Sequence, residues 1–198
     1  MAGESLPKIE FENADALDDW LAANHSTAGS IWAVLWKKQS PQKYIDRETL
    51  LKTVLRYGWV DSLPRKLDAD RSMLMLSPRK AGSAWSAVNK RIITQLESAD
   101  QMHPSGQAAV QRAKEDGSWT VLDGADKGII PSDLVEALGT YPGARENFYA
   151  FPLSAKRGIL EWIAIAKKAE TRNKRVEETA RLAAENKRAL DCRAKNKR

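Results

Sequence analysis

With 198 residues, 42% of them apolar, the chain can build one core of ordinary size, or one domain with a smaller one appended; it is not a disordered polymer. Its net charge of +6 is unevenly spread: residues 1–155 hold 18 Lys+Arg against 20 Asp+Glu, while residues 156–198 hold 14 against 6. A uniformly basic body is thereby excluded, and polyanion affinity, if any, belongs to the C-terminal quarter. One cysteine, Cys192, excludes an intrachain disulfide and a cysteine-rich metal site, and it suits a reducing compartment. The opening MAGESLPK lacks a basic stretch followed by an apolar one, and no later run has the length of a membrane span. A cytoplasmic location without membrane insertion is the expectation. Seven tryptophans against three phenylalanines place several indole N–H groups where a buried partner or a wet groove must receive them.

Taken in order, KIEFE alternates Ile9 and Phe11 with charges and predicts a short half-buried strand. Asn13 then caps a helix to about Asn24, with Ala16, Leu17, Trp20 and Leu21 on one face and Asp15, Asp18 and Asp19 near its positive end. SIWAVLWKK (30–38) is apolar on both faces and reads as an inner strand. Asp46 and Gly58 bracket a second helix. WVDS (59–62), RKLD (65–68) and RSMLMLS (71–77) predict short strands, with Asp68-Ala69-Asp70 as a hairpin turn. From Ser83 to about Ser98, Trp85, Val88, Ile92 and Leu96 recur at helical spacing.

Another helix spans 104–116, between Pro104 and Gly117, and WTVL (119–122) reads as a short strand. DGADKGIIP (123–131), with its glycines and proline, marks a linker. PSDLVEALG and GARENFYAF predict short helices. Ser154 caps one long helix with Ile159, Trp162, Ile163, Ala166 and Ala169 buried, which continues after Thr171 as a charged helix that frays before Arg198. The fold class is therefore α+β: a small mixed or antiparallel sheet with packed helices over 1–122, a helical region over 123–175, and a basic charged tail over 176–198.

GWVDS, SPRKAGSAWSAVNKR, AKEDGSW, PSDLVEAL and WIAIAKKAETRNKR, spread from about Glu10 to Arg175, resemble the bacterial YdeI/OmpD-associated, or bacteriocin-protection, family. Val60 and Leu76 stand where the family pattern favours an isoleucine and an aromatic residue, which are packing changes. The resemblance implies a bacterial stress or bacteriocin-tolerance context, and it implies no reaction and no cofactor.

The chemistry concentrates in SPRKAGSAWSAVNKR. If Ser83 caps the helix, its first amides open into the loop that carries Arg79 and Lys80, and dipole and cations reinforce one another around an anion. Asn89 lies within the arc of Trp85, Ile92, Ile93 and Leu96, so its amide faces core or groove. Asp61 is placed to hold Arg79. Asp61, Arg79, Lys80, Ser83, Trp85, Ser86 and Asn89 thus form the candidate ligand-binding set, for a small anionic ligand or an acidic protein partner. Against it stands an ordinary cap with solvated or ion-paired cations.

The same set could serve an enzyme, with Asp61 as base and Arg79 and the amides near Ser83 stabilising an anionic transition state. Neither His25 nor His103 has a metal-ligand spacing, GxSxG and the Walker pattern are absent, and no metal or cofactor is expected. In KKAETRNKR, pairing Glu170 with Lys174 and Glu177 with Arg181 leaves Lys168, Arg172 and Arg175 as a cationic stripe, a nucleic-acid contact or a solubilising face.

Overall fold

The computed structural model describes residues 6–191. The elements of the first part are β1 (Lys8–Phe11), α1 (Ala14–Asn24), β2 (Ile31–Trp36), α2 (Arg47–Arg56), β3 (Trp59–Lys66), β4 (Arg71–Pro78), α3 (Ala87–Ser98) and α4 (Pro104–Glu115). A helical series follows: α5 (Asp123–Asp126), α6 (Ser132–Thr140), α7 (Ala144–Ala150), α8 (Leu153–Ala164) and α9 (Ala169–Ala184). The class is α+β. The described chain divides into two compact units, one running to Ser83 and resuming over Val88–Trp119, the other formed by Ala84–Ala87 and the chain from Thr120 onward. No helix among the described residues is long and apolar enough to cross a membrane.

The sheet of the first unit has the order β1-β2-β4-β3, with β1 parallel to β2 and the other pairs antiparallel. The unbroken apolar run Ile31-Trp32-Ala33-Val34-Leu35 is buried throughout, as an inner strand covered on both faces must be. Trp32, Val34 and Met73 cluster on one face, where the Arg65 guanidinium lies 4.7 Å from the Trp32 ring. The helix caps follow from local chemistry. Asn13 Oδ1 accepts the Ala16 N–H at 2.8 Å, and Asp46 Oδ1 accepts the N–H groups of Glu48 and Thr49 at 2.9 and 3.0 Å.

Three expectations are corrected. The two short strands over 59–68 are one strand, β3, whose register shifts between Asp61 and Pro64. Pro64 lacks an N–H, and an edge strand tolerates that loss at a bulge. The Asp68 turn itself forms, with Asp68 Oδ1 accepting from the N–H groups of Asp70 and Arg71. WTVL is a turn leading into α5, because so short an apolar run carries no period that separates strand from turn. The long C-terminal helix is two, α8 and α9, interrupted at residues 165–168. The charged helix expected after Thr171 forms as α9, and it places Val176, Ala180 and Ala183 in the second unit's core, with Thr179 and Leu182 buried as well. Small residues give little hydropathy signal, yet at this spacing they make a continuous packing face. Cys192 and the basic residues after it lie outside the described residues.

In the first unit α4 sits directly on the end of α2. A β-carbon at Gly106 would stand 2.1 Å from the Arg56 carbonyl oxygen, so only glycine fits there. Gly106→Ala is expected to lower the unfolding free energy by about 2–3 kcal/mol in urea denaturation, the cost of overpacking offset only in part by alanine's helix propensity. Gly124→Ala, with nothing within 4 Å of the added carbon, should stay within about 0.5 kcal/mol of the parent.

Candidate functional site

The stretch expected to bind an anion does bind anions, and they are carboxylates of the chain itself. α3 begins at Ala87, not at Ser83, whose own N–H closes a turn onto the Lys80 carbonyl at 3.2 Å. Within the first unit the Gly82 N–H donates to Asp116 Oδ2 at 2.8 Å, and Asp116 Oδ1 takes the Ser118 N–H at 2.9 Å. Bonds from Ser118 and from the Gly82 amide hold the Asp116 carboxyl below the ordinary carboxylate range. Within the second unit the Ala87 N–H donates to Asp126 Oδ2 at 3.1 Å, and Asp126 Oδ1 meets Arg157 Nη2 at 2.7 Å. Ser83 is therefore corrected from helix cap to turn residue: the position directly before α3 is Ser86, three residues on, and the two serines are equally good capping types.

The predicted residues are distributed as follows. Arg79, just past β4, is only 7% exposed, and its N–H donates to the Gly58 carbonyl at 3.0 Å. Burial pushes its guanidinium down to about 10, against the opposing pull of Asp61. Asp61, on β3 opposite Leu76, also accepts Arg47 Nη2 at 3.1 Å, so one carboxylate serves two guanidinium groups. The structure thus brings Asp61 and Arg79 together as expected. Lys80 is exposed, and Asn89 is half-buried on α3. Trp85, fully buried, and Ser86 belong to the second unit, while Asp61, Arg79, Lys80, Ser83 and Asn89 belong to the first.

The cationic stripe on α9 is corrected as well. Arg172 donates through Nε and Nη2 to the two oxygens of Asp133, at 2.7 and 3.1 Å. Arg175 donates to the Trp162 carbonyl, and its guanidinium lies 5.0 Å from that indole ring. Of the three, Lys168 is the exposed one, just before α9. Glu170 and Lys174 pair as expected, at 2.6 Å, whereas Arg181 turns to Glu185 at 3.0 Å and Glu177 accepts the Tyr141 hydroxyl. Spacing along one helix did not disclose Asp133, which arrives from α6.

Two features lay beyond the reach of periodicity. The first is a groove of about 580 Å³ in the second unit, between the α5 turn, α7 and the start of α8. Ala125, Ile130 and Leu160 line it, with Tyr149 and Leu153 52% and 81% exposed and with Lys127, Lys156 and Arg157 around them. Lys156 Nζ donates to the Tyr149 carbonyl at 2.8 Å, and Arg157 is held by Asp126 and by Glu161 at 2.8 Å. Leu153 is in phase with buried Leu160 and would be read as core from the sequence.

The second feature is the meeting of the two histidines in the first unit, their ring centroids 4.5 Å apart. His103 caps α4, directly before Pro104. His25 follows α1, and nothing in the chain order of the two residues points to their contact. No group of three or more His, Cys, Asp or Glu side chains among the described residues is placed to hold a metal ion.

Comparison with known families finds two matches. Residues 127–186 match the model described as bacteriocin-protection, YdeI or OmpD-associated, and residues 9–109 match a domain of unknown function, DUF8412. The resemblance read across most of the chain is thus carried by the C-terminal match, which takes in PSDLVEAL, WIAIAKKAETRNKR and most of the groove. GWVDS and SPRKAGSAWSAVNKR fall within the other match. Neither the curated proteins nor the solved structures include a match to this chain.

Arg79 and Arg47 share one counter-ion from very different surroundings. Arg79→Ala is expected to cost about 3 kcal/mol in chemical denaturation, from lost packing and a broken buried pair. Arg47→Ala, at a side chain 71% exposed, should cost less than about 1 kcal/mol.

Proposed function

Since this chain belongs to the DUF8412 domain family over residues 9–109 and to the bacteriocin-protection, YdeI or OmpD-associated family over residues 127–186, we propose that it is a non-catalytic binding module that protects by holding an acidic protein segment. The observation that carries this reading is the groove of the second unit, apolar along its floor and cationic at its rim. Lys127 and Lys156 stand there without a matching excess of carboxylates, because Asp126 is engaged by Arg157 and the Ala87 amide. An occupant with an aliphatic or aromatic side chain beside one or more carboxylates complements both properties.

The expected anion site at Arg79 is a weaker seat, since neighbouring amides already hold Asp116 and Asp126 and the guanidinium is buried beside Asp61. An enzyme built on Asp61 meets the same difficulty, for that carboxylate is the counter-charge of two arginines. Nucleic-acid binding through Lys168, Arg172 and Arg175 would have to dismantle the Asp133 and Trp162 contacts. The cytoplasm is the compartment we assign, on the single cysteine of the chain.

Fluorescence anisotropy with labelled decapeptides tests the reading. Peptides that combine Leu or Phe with Asp and Glu are expected to bind, and the same peptides with Lys in place of the acids are not. Leu153→Asp and Lys156→Ala should each weaken binding about tenfold, near 1.4 kcal/mol, with the circular dichroism spectrum unchanged. Equal binding of acidic and basic peptides, or indifference to Leu153→Asp, would overturn it.

A further inference from the structure

The histidine pair sits where three helices of the first unit meet. His25 Nδ1 lies 3.0 Å from the Leu21 carbonyl oxygen, so that nitrogen carries the proton and donates. The His103 ring meets the His25 ring at 67° and lies 4.9 Å from the Tyr57 ring. On its other side, His103 Nδ1 accepts the Ser105 N–H at 3.2 Å and thereby caps α4. Ser105 Oγ, 2.8 Å from the same nitrogen, donates to the Tyr57 carbonyl at 3.0 Å.

The geometry points to an acid-sensitive latch: protonation of His103 removes the N-cap of α4 and sets a cation against His25 and the positive end of that helix, releasing α4 from α2. A protonated Nδ1 has no lone pair for the Ser105 N–H; it keeps the contact with Ser105 Oγ and loses the cap. The charged ring also faces the helix dipole in its unfavourable direction.

The charged and titratable groups around it come from α1 and α2. α1 contributes Asp18 and, just after its end, His25; α2 contributes Arg56 and, just after its end, Tyr57. Among the described residues, Asp18 is the carboxylate that favours the imidazolium. It already accepts Arg56 Nη1 at 3.1 and 3.2 Å and the Tyr57 hydroxyl at 3.2 Å. Burial, then His25 and Arg56, hold the His103 imidazole below its ordinary range, and Asp18 opposes them.

The junction leaves no slack to absorb a displaced ring. The His103 N–H donates to the Arg56 carbonyl at 3.2 Å, and Gly106 lies flush against that same carbonyl. In the unfolded chain the imidazole takes its proton near 6.5, in the folded chain at lower pH, so below about 6.5 the unfolded state binds more protons. The stability supplied by the neutral ring is complete above that pH and is lost as pH falls.

Amide hydrogen exchange on the full chain at pH 7.5 and 5.5, corrected for intrinsic rates, tests the latch. The amides of Ser105, Gly106 and Gln107 are expected to lose several-fold, at most about tenfold, in protection at the lower pH, while those of α8 in the second unit keep theirs. His103→Asn supplies a capping side chain that does not titrate, and it should abolish the difference. An equal loss in His103→Asn, or none in the parent, would overturn the proposal. Should that variant fail to fold, the imidazole resonances of the parent decide: a His103 midpoint below 6.5 supports the latch, and one at or above 6.5 refutes it.

Discussion

One carboxylate, that of Asp126, organises the part of the molecule from which function is argued. It accepts the N–H of Ala87 and holds the guanidinium of Arg157. Because it anchors that amide, the segment Ala84–Ala87 belongs to the second unit, and the buried indole of Trp85 goes with it. Because it holds Arg157, the first turns of α8 present Lys156 and Leu153 to the groove from a fixed base. A helix N-terminus attracts an anion whether the anion is a ligand or a side chain, and a carboxylate on the chain itself arrives at far higher effective concentration. That is the physical reason the first helix turn after PRKAG is closed to the small anion its composition suggests.

The same economy draws several of the described arginines away from the surface. Arg79 is buried beside Asp61, Arg172 is forked onto Asp133, Arg175 lies on Trp162, and Arg71 bridges Glu10 and Asp68 at 2.6 and 2.8 Å. Guanidinium groups suit this work, since a planar fork meets a carboxylate at two points and an aromatic ring on its face. At the groove, where Asp126 holds Arg157, the rim charge left for a partner is carried by Lys127 and Lys156, which hold no fixed geometry. A lysine-rimmed groove selects the sign of charge more than the shape of the ligand, while the apolar floor supplies the area.

Much of the first unit was legible because its signals are local. Asn13 and Asp46 cap the helices that their position announces, and the apolar run of β2 cannot be satisfied except inside a sheet. Legibility failed where the deciding partner lies far along the chain. Ser83 loses its helix to a carboxylate at Asp126, and Arg172 finds an aspartate on another helix. It failed also where the signal is weak. The alanines of α9 are poor hydropathic markers, though Ala180 and Ala183 are wholly buried. Of the candidate set, Asp61 with Arg79 was readable from two strands joined by one turn, and the groove was not, since Tyr149 and Leu153 are brought together by helix packing alone.

Exposed apolar residues are common, and position decides what they mean. Leu63 on an edge strand and Val88 at the start of α3 are exposed singly, which needs no explanation. Leu153 differs, for it is 81% exposed beside exposed Tyr149, in a concavity with an apolar floor. Covering such a leucine would contribute about 1.5–2 kcal/mol, several times what a solvated surface lysine pair contributes. Affinity at this groove therefore comes from the apolar contact, and the lysines decide which partners are admitted. A purely electrostatic ligand such as inorganic phosphate forgoes the larger part of that energy, so the occupant has to bring an apolar side chain with its negative charge.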